Sequence, residues 1–537
     1  MKLRFNLNGY ATFSVALLLT ASGAAAQNTE GPSLVVMVVV DQLRGDLIDH
    51  YEDAFSGGLR RMLDQGYRFT SASHAHARTH TAAGHATLAT GVFPSRSGIV
   101  GNSWSLLSGD TWRSEYAVED LESPILGFER EPSLRGRSPE NLLRTGLADW
   151  VRAADDGART VSISSKDRSA IPLAGKTRSD VYWLLPQLAR FVTSSYYTDR
   201  YPDWIIRFNQ QVMPGIASDA VWQNDTPQGV RSLARDDDAL YEKANEGRGG
   251  ATFPHRSADE TRDDGFQAHN QWVLRQSRAD DAVVALAQAA IEEFDLGRRG
   301  SVDYLAVSLS ATDYVGHDFG PFSQEQLANL VNVDRILGEL LDYLDAEVGE
   351  GTWVLGLSGD HGVVTMPEYE QARGNADVKR ISTRAATREL IAAYRVEAAE
   401  GGSFDELAER LARSLEAAGT VERAYTHLEL TQGEPSDSFA VLFRNSHYPG
   451  RAHHTLSRYG VEVRYPEGDL VHPRSAGTTH GTPYWYDRHV PFMLLGAGIE
   501  NGSSDAAAYT VDMAPTLAAL VGVSVPTDLD GRAIYRE

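Results

Sequence analysis

Leu34-Val35-Val36-Met37-Val38-Val39-Val40-Asp41 is a run of seven apolar residues, five of them valine, that ends on a carboxylate. No polar residue sits at alternate positions, so the run offers no face to water. It predicts a strand buried on both sides, the pattern of a parallel sheet covered on both faces. The same grammar recurs along the chain. Residues 160–163 lead to Lys166, 304–309 to Asp313 and 353–357 to Asp360, while 490–495 follow shortly after His480. Helical periodicity fills the intervals at 140–154, 281–294, 324–348 and 511–520. Alternating strand and helix predicts an α/β fold, a doubly wound, mostly parallel sheet flanked by helices. Such sheets bind ligands beyond the carboxyl ends of their strands. The polar residues that follow the strands should therefore meet at one edge.

Two stretches interrupt this rhythm. Residues 170–280 or so are rich in Trp, Tyr, Pro, Asp and Arg, with a charged loop at 235–246. Residues from about 365 to 475 carry helical patterns at 383–400 and 404–418 and strand-like segments at 439–443 and 460–465. Both read as insertions that cap the active edge of a catalytic domain running from 27 to 537.

The start of the chain reads as a targeting segment. Lys2 and Arg4 precede an apolar stretch centred on Val15-Ala16-Leu17-Leu18-Leu19, and Ala24-Ala25-Ala26 precedes Gln27. That is the layout of a secretory signal peptide over residues 1–26, cleaved after about Ala26. Its apolar part is shorter than the ~20 residues a membrane span needs. The expected product is exported to a periplasm and has no membrane anchor after cleavage.

Composition narrows the chemistry. The 537 residues include 73 acidic and 50 basic side chains, for a formal charge of −23, and no cysteine. The acidic balance argues against a nucleic-acid-binding surface. The missing cysteines exclude disulfides, thiolate nucleophiles, Cys-ligated zinc and iron–sulfur clusters. Asp41, Asp313, His317, Asp360, His361 and His480 supply three carboxylates and three imidazoles, an oxygen and nitrogen set that suits Zn²⁺ and permits Mn²⁺. Asp313 and His317 are spaced i, i+4, so on a helical turn they point the same way. Asp360-His361-Gly362 falls at a strand-to-loop turn. Taken singly, each of these is as readily a surface turn or a packed histidine; their order along the chain is what singles them out.

Two further groups bear on the same edge. Thr79-His80-Thr81-Ala82-Ala83-Gly84-His85 precedes an apparent helix over 82–89. Thr81 takes the N-cap position, where a hydroxyl can cap the helix. The same place favours an anion through backbone N–H groups and the helix dipole. Asn102 lies in a turn-like Gly-Asn-Ser-Trp stretch, and Lys166-Asp167-Arg168 follows a strand. In an extended segment Lys166 and Arg168 face one side, so both can address one phosphoryl group; the plainer alternative is a solvated basic pair.

Together these motifs resemble the alkaline phosphatase superfamily, and within it the periplasmic phosphate-irrepressible (PafA-type) alkaline phosphatases that use a threonine nucleophile. The likeness runs through Val40-Asp41, Thr81 with Gly84-His85, and residues 98–104. It continues through Lys166-Asp167-Arg168, residues 191–197 and 312–317, Gly359-Asp360-His361-Gly362, and Thr479-His480-Gly481-Thr482-Pro483. The resemblance implies two zinc ions per chain. Asp313, His317 and His480 would hold one. Asp41, Asp360 and His361 would hold the other, which also binds Thr81. Asn102, Lys166 and Arg168 would contact the non-bridging phosphoryl oxygens. His74, His76, His80 and His85 are expected to be loop or packing residues. Thr79 is a rival hydroxyl, but the Gly-His that follows Thr81 favours Thr81.

The implied function is hydrolysis of small-molecule phosphate monoesters by a monomeric enzyme through a phosphothreonine. The related type I phosphodiesterases and nucleotide pyrophosphatases share the ligands, the threonine and the asparagine but lack the lysine–arginine pair. They are the alternative within the same fold. A sulfatase is disfavoured, since no Cys/Ser-x-Pro-x-Arg site is present. An inactive zinc- or phosphate-binding protein is the alternative from another class.

Overall fold

The structure, a computed structural model, describes residues 31–108, 111–243, 251–257, 265–453 and 456–535. Nine strands form the central sheet: β1 (Leu34–Val40), β2 (Tyr67–Ser73), β3 (Thr160–Ser164), β4 (Asp180–Leu185), β5 (Arg190–Val192), β6 (Asp303–Leu309), β7 (Trp353–Gly359), β8 (Phe492–Gly496) and β9 (Gly502–Tyr509). Their spatial order is β9-β2-β8-β7-β1-β6-β3-β4-β5. β1 lies between β6 and β7 and is parallel to both. β3 and β4 continue the parallel set, and β9 runs parallel to β2. Only β8 and the edge strand β5 run against their neighbours.

Seven of the helices cover the sheet or shape its carboxyl edge: α1 (Thr81–Thr90), α2 (Leu147–Ala154), α3 (Asp167–Leu173), α4 (Ser277–Glu293), α5 (Ala311–Phe319), α6 (Gln324–Leu344) and α7 (Met513–Leu520). The valine run explains why they cover both faces. Leu34, Val36, Val38 and Val40 enter one core with residues of α4 and α6. Val35, Met37 and Val39 enter the other with residues of α1, α2 and α7. Side chains alternate across a strand, so an uninterrupted apolar run feeds two cores at once. All seven of its residues are buried.

Several elements depart from expectation. Residues 180–192 supply β4 and β5, so part of the stretch expected as an insertion completes the sheet. The helix expected from 140 begins only at Leu147, where the Asp149 carboxylate accepts the Gly146 N–H at 2.7 Å and starts the turn. Residues 439–443, expected as a strand, lie in a helix, Ser438–Ser446. There Asp437 accepts the Ala440 N–H at 2.7 Å, and this cap outweighs the β-like appearance of Phe-Ala-Val-Leu-Phe. The expected helices at 383–400 and 404–418 are Thr383–Ala398 and Phe404–Ala417. They share a separate small core with the Arg423–Thr426 and Val461–Arg464 strands. The signal-peptide segment lies outside the described residues.

Candidate active site

The functional side chains gather where the strands end. Asp41 follows β1, Lys166 lies two residues past β3, Asp313 and His317 sit on the helix after β6, and Asp360-His361 follow β7. His480 arrives differently. It precedes β8, which runs antiparallel to β7 with Ser358 opposite Phe492. Reversing that strand brings its leading loop to the edge where its neighbours finish.

Two groups of ligand-type atoms converge there. Oxygen and nitrogen atoms of Asp41, Asp360 and His361 lie within 4.8 Å of one another, and so do those of Asp313, His361 and His480. His361 thus belongs to both, and its ring stacks on that of His480 at 3.6 Å between centroids. His317 joins the second group through Asp313, whose Oδ1 is 3.1 Å from His317 Nε2 and 3.6 Å from His480 Nε2.

The three imidazoles are aimed by the backbone. His317 Nδ1 meets the Thr478 carbonyl at 2.8 Å, His361 Nδ1 the Gly362 carbonyl at 2.9 Å, and His480 Nδ1 the Thr79 carbonyl at 2.6 Å. A carbonyl only accepts, so each Nδ1 carries a proton and each Nε2 points inward, where a neutral ring would present its lone pair. Lone pairs then face carboxylate oxygens, an arrangement that calls for a cation between them. Asp41 Oδ1, Asp360 Oδ2 and His361 Nε2 are buried with no hydrogen-bond partner among the described residues. Leaving such atoms unsatisfied costs about 1–3 kcal/mol each, and a bound metal ion would satisfy all three. The donor set therefore fits a metal.

The electrostatics agree. Burial, and then the nearby Asp360 carboxylate, push the Asp41 carboxyl up. Burial opposes ionisation of Asp313 too, but the Lys166 ammonium and His317 outweigh it and hold that carboxyl well below the usual range. Burial and the neighbouring histidines hold His480 well below its ordinary value, which keeps the ring in its ligating form.

Thr81 is the first residue of α1, not its N-cap; His80 takes that place. All ten residues of this helix are buried, and Gly84 is the point of closest approach. A Cβ there would lie 2.1 Å from the Asp360 carbonyl oxygen, so only glycine lets the helix press against the ligand-bearing turn. The Thr81 hydroxyl makes no hydrogen bond among the described residues. The rival Thr79 hydroxyl donates to the Thr482 carbonyl at 3.2 Å and is thereby engaged.

Asn102 Oδ1 accepts the Ala82 N–H at 2.9 Å. Only an oxygen can accept, so this bond fixes the amide and leaves Nδ2, with its two donors, unpaired among the described residues. Lys166 and Arg168 are not in an extended segment. Lys166 is the N-cap of α3 and Arg168 its second residue. Cations at a helix N-terminus oppose the dipole, so this placement adds nothing to helix stability. The Lys166 ammonium donates to Asp41 Oδ2 and to Asp313 Oδ2, both at 2.6 Å. It thus bridges the two groups of ligands. Half-buried Arg168 lies among Tyr116, Tyr314 and Asp167, which hold its guanidinium charged against the cost of burial.

Two supports were not foreseen. Gln42 has a left-handed backbone, φ 65°, rare for a residue with a side chain and costing on the order of 1–3 kcal/mol. The distortion lets its N–H donate to Asp360 Oδ1 at 2.9 Å and its Nε2 to Asp313 Oδ1 at 2.8 Å. One residue thereby orients a carboxylate in each group. His85, expected to be a packing residue, meets the Thr81 carbonyl through Nδ1 and Ser308 Oγ through Nε2, both at 2.8 Å, and so ties the start of α1 to the end of β6. No motif logic marks Gln42; it merely follows Asp41. The Gly84-His85 pair was visible, but its role needed the fold.

The stretch expected as the second insertion borders the residues just before Thr81. Ala77 N–H donates to the Leu442 carbonyl at 3.0 Å, Asn445 Nδ2 to the Ala75 carbonyl at 2.7 Å, and Arg78 pairs with Glu462. The His453 ring crowds Gly101, beside Asn102.

Comparison with known proteins follows the same lines. A family model described as type I phosphodiesterase / nucleotide pyrophosphatase matches residues 35–487. The chain is 29% identical to a Myroides odoratus protein named a calcium-transporting ATPase, over 97% of this chain and 96% of that one. It is 28% identical to the alkaline phosphatase PafA of Elizabethkingia meningoseptica, over 97% of each. A crystal structure of wild-type alkaline phosphatase PafA matches with a TM-score of 0.83 at 26% identity, over 94% of this chain and 98% of that one.

Proposed function

The chain belongs to the type I phosphodiesterase / nucleotide pyrophosphatase family, and from that premise we propose that it is an alkaline phosphatase, hydrolysing small phosphate monoesters in a metal-bearing site through a phosphothreonine. The alkaline phosphatases among its relatives support the activity. Two zinc ions fit the donors: one on Asp313, His317 and His480, the other on Asp41, Asp360 and His361. Bound there, zinc would supply Lewis-acid charge that lowers the pKa of a hydroxyl or a water and offsets charge on a departing oxygen.

The protein's own groups do the rest. Thr81 Oγ attacks phosphorus in line with the ester oxygen, which leaves as the alcohol. Water then attacks the phosphothreonine from the vacated side, frees Thr81 and releases inorganic phosphate. Charge in such a loose transition state spreads over the non-bridging oxygens. Asn102 Nδ2, the Lys166 ammonium and the Arg168 guanidinium face that charge. Each is worth roughly 2–4 kcal/mol by analogy with oxyanion donors. Gln42 positions ligands, His85 holds the Thr81 backbone, and neither touches substrate. Export to a periplasm after loss of residues 1–26, and action as a monomer, complete the reading.

The observation that carries the choice of a monoester is Lys166. Its ammonium has three N–H donors; two are taken by Asp41 and Asp313, and the third is available for an oxygen bound between the two ligand groups. A monoester brings an additional charged oxygen that needs such a partner, whereas a diester carries a second alkyl group there. Family membership keeps diester hydrolysis as the second reading. Measuring kcat/KM for 4-nitrophenyl phosphate and bis(4-nitrophenyl) phosphate separates them. The monoester should be preferred; equal or greater efficiency on the diester would overturn the assignment.

A further inference from the structure

A groove of about 280 Å³ opens beside the site on the other flank of α5, lined by Trp222, Lys243, Trp272, Arg275, Tyr314, Asp318 and Arg474 among others. Asp313 and His317 lie on one stripe of this helix, and Tyr314 and Asp318 on the next. Tyr314 connects the two. Its ring centroid is 4.5 Å from the Lys166 ammonium and 4.5 Å from the Arg275 guanidinium carbon. No more than twice that distance therefore separates Arg275 from the group assigned to the phosphoryl oxygens.

The charge of the groove runs against that of the chain. The whole sequence has a formal charge of −23, yet among the described residues the groove is lined by three cations and a single acid. That acid, Asp318, is already neutralised by Lys243 at 2.7 Å. Arg275 and Arg474 are exposed and have no acidic partner among the described residues. Unpaired cations beside a catalytic site, flanked by tryptophan and tyrosine rings, form a receptor for an anionic group. Because the Tyr314 ring alone spans the distance between Arg275 and Lys166, that anion can belong to the substrate held at Lys166.

Resting on the monoesterase reading, we propose that this groove receives the leaving group and favours phosphate monoesters whose alcohol carries a second anionic group, such as the phosphate ester of a hydroxy acid. Hydrolysis consumes one water, breaks the P–O bond, and releases inorganic phosphate and the free hydroxy acid, whose carboxylate Arg275 and Arg474 hold until release.

The probes are 3-phosphoglycerate, which carries the carboxylate, and glycerol 3-phosphate, which does not. The readout is the ratio of their kcat/KM values in the metal-loaded, full-length enzyme. Arg275→Gln should lower this ratio by roughly five-fold, and the double change with Arg474→Gln should lower it further. Arg275→Lys, which keeps the charge, should retain most of it. Added salt should reduce the wild-type ratio toward that of the double variant. Hydrolysis of both esters with a ratio unmoved by either change would overturn this inference alone. Hydrolysis of neither would overturn the monoesterase reading and this inference with it.

Discussion

The two halves of the site differ in how far they stand from water. Asp41, Asp360 and His361 are completely buried. Across Lys166, Asp313 and His480 are nearly so, but the His317 side chain is 31% exposed. The inner half is built from the ends of β1 and β7 and is pressed by α1 at Gly84. The outer half is built from α5 and from the loop that precedes β8. A hydroxyl nucleophile belongs with the inner half, where the low dielectric strengthens every interaction with a developing charge. A leaving alcohol, which must escape, belongs with the outer half, beside the open groove along α5. The burial gradient alone orders the roles that the ligand set leaves symmetrical.

The harshest way to break this comparison is to remove the inner hydroxyl. Thr81→Ala should lower kcat on 4-nitrophenyl phosphate on the order of 10⁴-fold or more, while metal content, measured by atomic emission on the purified protein, stays at the wild-type level. Substantial turnover in that variant would move the nucleophile elsewhere and dissolve the distinction between the halves.

Metal removal sharpens it. An outer ion held by a half-exposed histidine should leave before an inner ion enclosed by protein. Titration with a chelator should release metal in two steps, with activity lost in the first. His317→Ala should abolish the first step and spare the second. A single step in both proteins would mean that the difference in burial has no bearing on how the ions are held.

Much of this arrangement could be read from sequence, for a physical reason. A strand buried on both faces leaves an apolar run that no exposed element imitates, so β1, β6 and β7 were marked by composition alone. The ligands sit within a few residues of their ends. What could not be read depends on contacts distant along the chain. The direction of β8, which delivers His480, is set by its partners and not by its own residues. The left-handed turn at Gln42 has no glycine to announce it; Asp313 and Asp360, hundreds of residues away, hold it in place. Lys166 and Arg168 were expected on an extended segment and lie instead at the start of a helix, where the dipole opposes two cations; on the proposed reading they face a phosphoryl anion there. The helix Ser438–Ser446 was mistaken for a strand because a single capping aspartate outweighed three β-prone residues, Phe439, Val441 and Phe443.

Lys166 joins the two halves through Asp41 and Asp313, so the account rests on it most heavily. Replacing it by alanine and measuring kcat/KM on 4-nitrophenyl phosphate and on bis(4-nitrophenyl) phosphate tests the claim directly. The account predicts a loss of roughly 10²–10³-fold on the monoester and a much smaller loss on the diester, with metal content unchanged. Equal losses on the two esters would contradict it, for Lys166 would then serve the ligands alone and not the extra charged oxygen of a monoester.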